Sequence, residues 1–270
     1  MTSLPSYADY GTYDESAHPD LWDGVVGYWA PCLGPTGLRL HDVSRGINWG
    51  TLTNMDAATN WVIDGGQYAL DFDGTNDHIP TRVVPGITGH VTFSAWFKSR
   101  DVINIRAIFS DSNSTGASIN FHMETSSGRL RILWGANPYF RPNGATTLAT
   151  NQTYHAVITR SGTAGSWRAR MYLDGKNDYD NTTSINPGTS NILTIGRGGE
   201  FNSLYGNLSA LDDVIVWNRE LQPNEVSRLY QLGRGGMLER RRRRRVYVEQ
   251  AGFRGYYATQ RAQLIGGGLR

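Results

Sequence analysis

The chain has 270 residues, 39% of them hydrophobic and 19% charged, with 32 glycines, eight tryptophans and one cysteine. That length admits one large β domain or two small ones; the lone Cys32 excludes an intrachain disulfide framework and a cysteine-based structural zinc site, and no apolar run approaches the ~20 residues of a membrane span. The formal net charge of +2 hides an asymmetry, because residues 234–270 set ten arginines against Glu239 and Glu249, whereas Asp9, Asp14, Glu15, Asp20 and Asp23 make the start of the chain acidic.

Residues 1–23 are polar, carry no Lys or Arg and have no apolar central run. They read as an extended acidic arm and not as a secretion signal. From Val25 short alternating runs are separated by Gly, Asn, Asp and Pro. Strands are predicted at 25–30, 67–72, 91–98, 105–109, 118–123, 129–134, 153–160, 166–173, 192–195 and 207–217. In 91–97 the side chains of Val91, Phe93, Ala95 and Phe97 share one face, and in 166–173 Trp167, Ala169, Met171 and Leu173 do the same. Period two with close turn signals predicts an all-β fold, an antiparallel two-sheet sandwich. One short C-terminal helix is predicted at 222–232, with Pro223 in its first turn, Val226, Leu229 and Tyr230 on one face, and Gly233 as its stop.

The chain thus divides into an acidic arm (1–23), a sandwich body (24–233) and an Arg-rich extended arm (234–270). The last begins with the joint Gly235-Gly236, followed by Arg240, Arg241, Arg242, Arg243, Arg244 and Arg245. It has too little apolar material for a core of its own. Its spaced anchors Tyr247, Phe253, Tyr256 and Tyr257 suit a segment that lies over a partner, by strand addition or against the acidic arm of a second copy. Nucleic acid is the less favoured partner of the arginines, because no nucleic-acid fold accompanies them.

Glycoside hydrolysis needs two facing carboxylates, and Glu15, Glu124, Glu200, Glu220 and Glu225 form no run on one strand. No G-x-S-x-G elbow is present. Cys32 reads as a small buried hydrophobe, His155 as a packed strand residue and His78 as a surface group. Asp212 and Asp213, adjacent on a strand, are expected on opposite faces. The chain is therefore expected not to be an enzyme. The turn Asp71-Phe72-Asp73-Gly74-Thr75-Asn76-Asp77 offers oxygens to calcium, with simple turn formation as the other reading. The loop 134–143 combines Trp134, Asn137, Tyr139 and Arg141, a composition that suits sugar stacking and hydroxyl recognition, or equally a protein contact. Trp49, Trp61 and Tyr205 are further aromatic candidates.

Several segments carry a resemblance. Val26-Gly27-Tyr28-Trp29 is followed by Asp42-Val43-Ser44, then Tyr68-Ala69-Leu70-Asp71-Phe72-Asp73-Gly74, Thr92-Phe93-Ser94-Ala95-Trp96, Tyr154-His155-Ala156-Val157 and Tyr172-Leu173-Asp174-Gly175. Leu211-Asp212-Asp213-Val214 and the helix close the series. Over about residues 24–232 the chain resembles the laminin G-like, concanavalin A-like jelly-roll family. The resemblance implies a jelly-roll sandwich, carbohydrate binding, and a structural Ca²⁺ whose ligands would be Asp73, Asp77 and, from the closing strand, Asp212. The layout of body, Arg run and aromatic tail is similar to that of tailed-phage structural proteins. It implies a non-enzymatic virion protein, assembled in the host cytoplasm, that decorates a capsid or belongs to a tail or fibre. Its arms would fasten it to other virion proteins or to further copies in a homo-oligomer, with no membrane involved. The alternative is a glycan-binding lectin module for surface attachment; a polysaccharide-degrading enzyme of the same fold ranks below both.

Overall fold

The structure, a computed structural model, describes residues 15–238 apart from 47, 83–88, 103–105, 112–116, 124–126, 136–137, 189–191 and 199–203. A single helical turn, α1 (Pro19–Trp22), precedes β1 (Val25–Trp29). Next come β2 (Arg39–Leu40), β3 (Gly50–Thr51), β4 (Trp61–Asp64), β5 (Gln67–Leu70), β6 (Ile79–Pro80), β7 (Val91–Ser99) and β8 (Arg106–Ser110). The middle of the chain forms β9 (Ala117–Met123), β10 (Arg129–Gly135), β11 (Asn143–Thr147), β12 (Thr153–Thr163), β13 (Ser166–Leu173) and β14 (Lys176–Thr183). It ends with β15 (Thr194–Ile195), β16 (Arg197–Gly198), β17 (Leu204–Tyr205), β18 (Leu208–Trp217) and the helix α2 (Pro223–Leu232).

These strands form the two-sheet antiparallel sandwich the alternation predicts. The large sheet runs β14-β13-β12-β7-β18-β5-β4, with β1 added on β18, and the small sheet runs β11-β10-β9-β8-β15-β6. Alternation decides what meets between them. Phe93, Ala95 and Phe97 from β7, and Trp167, Ala169 and Met171 from β13, face Leu130, Ile132 and Trp134 of β10. Each large apolar side chain so buried contributes about 1.5–3 kcal/mol. The strand β14 escaped the sequence pattern because it is an edge, and its residues (KNDYDNTT) are mostly polar. Its Asp178 carboxylate accepts from the Thr146 backbone N–H at 2.9 Å, tying the two sheets together along one side.

A second core lies on the opposite face of the large sheet. Tyr28, Val157, Tyr172, Ile215 and Trp217 point outward there and are covered by Leu21, Trp22, Leu33, Val226, Leu229, Met237 and Leu238. Trp217 Nε1 donates to the Leu21 carbonyl at 2.7 Å. The packed body therefore starts before the expected boundary at residue 24 and extends past 233. The physical reason is that alternate residues of β18 and β12 are apolar on both faces, so both faces need cover. The helix α2 starts at Pro223, one residue after the predicted 222, with Gln222 as its N-cap. Gln222 N–H donates to Glu225 Oε2 at 2.7 Å in a capping box, and Gly233, at φ 74°, ends it.

Candidate functional site

The loop between β10 and β11 was expected to present aromatics. Trp134 is instead fully buried. Its Nε1 donates to the Ile185 carbonyl at 3.0 Å, and its ring meets Phe140 at 4.5 Å. It cannot offer a stacking face: it stands on the inward side of β10 and supports the loop from beneath. Above it Pro138, Ile185, Asn186, Pro187 and Gly188 line a shallow groove of about 430 Å³. Beside the groove Tyr139 is half-buried and Arg141 exposed; Asn137 lies outside the described residues. Trp61 is buried and bonds the Gly37 carbonyl. Both Arg39 and Arg82 lie over the Trp49 ring, at 4.7 and 4.0 Å. The side chain of Tyr205 is not among those described.

Beyond this groove, the outer face of the small sheet carries Arg129 and Arg131, which alternate with the inward Leu130 and Ile132. Arg131 Nε donates to Asn143 Oδ1 of the neighbouring strand at 2.7 Å. The covering elements of the second core all sit on the large sheet, so they do not cover this polar, basic face.

The acidic turn is built as a turn. Asp77 Oδ2 accepts from Asp73 N–H and Asn60 Nδ2, each at 3.0 Å, and Asp73 Oδ1 accepts from Thr75 N–H at 2.7 Å. Burial pushes the Asp73 carboxyl up, but the backbone N–H groups of Thr75, Asn76 and Asp77 outweigh it and hold the group below its ordinary range. Burial raises Asp77. Asp212 does not join them, because its carboxylate accepts from Cys32 N–H at 2.9 Å and Asp213 N–H at 2.8 Å. The expected calcium set Asp73, Asp77 and Asp212 is therefore divided between two separate networks, and these residues do not fit one Ca²⁺ cage.

Sequence reasoning also misplaced Asp213. The register of β18 shifts between Asp212 and Ile215, and Asp213 adopts φ 45°. That bulge turns both carboxylates to one place instead of opposite faces. Tyr28 Oη donates to Asp213 Oδ1 at 2.9 Å, Cys32 Sγ lies 3.7 Å from the same oxygen, and Gly235 N–H donates to Asp213 Oδ2. Burial, then the neighbouring Asp213, pushes Asp212 well up, and burial likewise raises Asp213. Burial and the two carboxyls push the Cys32 thiol up. The nearest signal in the sequence was the Asp-Asp pair itself; nothing in it revealed the bulge.

The arginines Arg240 to Arg245 and the anchors Tyr247, Phe253, Tyr256 and Tyr257 lie outside the described residues, as do Glu124 and Glu200. The last described residues, Met237 and Leu238, are buried. Arg234 Nη1 bonds Asp64 Oδ2 at 3.0 Å just before them.

Over residues 73–227, more than half its length, the chain matches the family described as the Concanavalin A-like lectin/glucanases superfamily, of laminin G type, and it belongs to that family. No curated protein sequence matches it. Among solved structures it is similar to domain 4 of AbnA, a GH43 extracellular arabinanase from Geobacillus stearothermophilus, in complex with arabinotriose: 15% identity, TM-score 0.62, 77% of this chain and 98% of that one. The binding domain of Paraclostridial Mosquitocidal Protein 1 follows at 14% identity and TM-score 0.60, over 79% of this chain and 53% of that one. The receptor binding domain of botulinum neurotoxin C/D mosaic serotype gives 14% and 0.58, over 78% and 51%. The chain spans about half of each toxin domain. At these identities the likeness is one of fold.

Proposed function

We propose that this protein is a non-catalytic, lectin-type jelly-roll module that binds a glycan at the end of the small sheet. The observation that carries the reading is the distribution of cover. Packed segments roof the large sheet, while the small sheet carries Arg129 and Arg131, the latter bonded to Asn143, and the loop after β10 brings Tyr139 and Arg141 close in sequence to Pro138, which lines the groove. Guanidinium and amide groups bond sugar hydroxyls and acidic substituents, and the half-buried Tyr139 and the groove prolines offer apolar contact. The similar domain solved with arabinotriose supports a sugar as the class of ligand. The non-catalytic part is supported by the glutamates within the described residues, each of which is held by an arginine: Glu15 by Arg45, Glu220 by Arg170 and Glu225 by Arg219.

The test is a glycan array on the full chain, followed by calorimetry on whatever it selects. Tyr139→Ala with Arg141→Ala is expected to weaken binding at least tenfold, about 1.4 kcal/mol, with the fold intact. Binding that survives both this pair and Arg131→Ala places the ligand elsewhere and sinks the reading. So does an array without a hit.

A second reading concerns the setting in which the module is displayed. We propose a virion surface component fastened by its arms. Support comes from the opposite charges of the acidic start and the Arg-rich segment, which suit docking between neighbouring copies.

A further inference from the structure

We propose that Cys32, Asp212 and Asp213 form a binding site for one thiophilic divalent cation of the zinc class. Their ligand atoms, one from each residue, all lie within 4.8 Å of one another, and all three residues are buried. Three protein ligands at that spacing can close around an ion with metal–ligand distances of about 2.0–2.3 Å. Such a cluster alone proves little. The second observation is an orphan: Asp212 is 1% exposed, and its Oδ2 has no hydrogen-bond partner. A buried carboxylate oxygen without a donor is costly, on the order of 1–3 kcal/mol or more, and it asks for a proton or a cation.

The remaining donors orient the set. Cys32 N–H and Asp213 N–H hold Asp212 Oδ1, which leaves Oδ2 to the ion. Tyr28 Oη and Gly235 N–H hold the Asp213 carboxylate from the other side. Such outer partners fix the geometry of metal ligands. Asp213, a non-glycine residue at φ 45°, stands in a strained conformation that brings its carboxylate beside that of Asp212.

Charge also balances. Asp64 is bonded by both Lys98, at 2.8 Å, and Arg234, at 3.0 Å, so this group carries a single net positive charge next to the cluster. With a divalent cation it offsets two carboxylates and one thiolate. Binding releases the thiol proton, and any proton shared by the carboxyls, to solvent. The class follows from the sulfur. Calcium and magnesium take oxygen ligands, whereas a thiolate selects zinc and its neighbours. A single cysteine cannot build a multi-cysteine zinc site, but the bulge in β18 sets two carboxylates beside it.

The experiment uses the full chain after chelation and the spectroscopic probe Co²⁺. Since Cys32 is the only cysteine, a thiolate-to-cobalt charge-transfer band reports this site alone. We expect one saturating equivalent, displacement by Zn²⁺ but not by equal Ca²⁺, and loss of the band in Cys32→Ser. Asp212→Asn should weaken Co²⁺ at least tenfold, and near-ultraviolet circular dichroism confirms that the variant is folded; Asp213→Asn serves if it is not. Folded wild-type protein that takes up cobalt without a thiolate band overturns the proposal. So does unchanged affinity in the folded Asn variants, or displacement by calcium as readily as by zinc.

Discussion

His155 shows how burial alone sets the behaviour of one residue. Its Nε2 lies 2.8 Å from Ser94 Oγ, its ring packs against Trp96 and Tyr230, and its backbone N–H donates to the Asp174 carboxylate. Burial lowers its pKa from 6.5 to about 3. The folded chain therefore keeps the imidazole neutral where the unfolded chain protonates it. The stability tied to this group is complete above pH 6.5 and is lost as pH falls toward 3, by about 1.4 kcal/mol per unit. His155→Gln should flatten the pH dependence of urea unfolding between pH 6 and 4, and an unchanged slope would assign that dependence to other groups. The sequence identified this histidine as a packed strand residue, because alternation needs only its neighbours. It misjudged Trp134 for a related reason: a tryptophan at the end of a strand beside a polar loop looks accessible, and only the facing sheet reveals that it is not.

Among the elements, α1 is the one whose role changed most. A four-residue turn inside an acidic, aperiodic segment carries no periodicity to read. Leu21 is nonetheless fully buried against the large sheet. Arg219 links the segment to α2, bonding the Asp23 carbonyl at 2.8 Å and the Glu225 carboxylate at 2.7 Å. Leu21→Ala should cost about 2–4 kcal/mol by thermal or chemical denaturation. A loss below about 0.5 kcal/mol, as for an exposed arm residue, would mean that the segment only rests on the body.

For the whole molecule, the charge asymmetry and the position of the cover belong together. Leu21 and Trp22 near the acidic start, and Met237 and Leu238 just before the basic run, all contribute to the cover of the large sheet, on the face turned away from the small sheet. An arm-mediated assembly therefore predicts that association and glycan binding are separable. Light scattering after size exclusion, on nuclease-treated full chain, should give a defined oligomer. The same chain with Arg240 to Arg245 changed to Ser should elute as a smaller species with glycan affinity retained. Identical masses for the two chains would remove the arginines from any role in self-association.

The sequence by itself determined what depends on neighbours along the chain. Period-two runs marked the inner strands of both sheets but not their end strands β4, β6, β11 and β14, Pro223 and Gly233 bounded the helix, and ordered short motifs carried the jelly-roll family. Only the tertiary structure decided what depends on distant segments. It chose which aromatics face solvent, it put Leu21 and Leu238 over the same sheet, and it brought Cys32 to Asp212 across 180 positions. The reason is physical. Alternation fixes the face of each residue only while the register holds, and one bulge in β18 reverses that rule for Asp213.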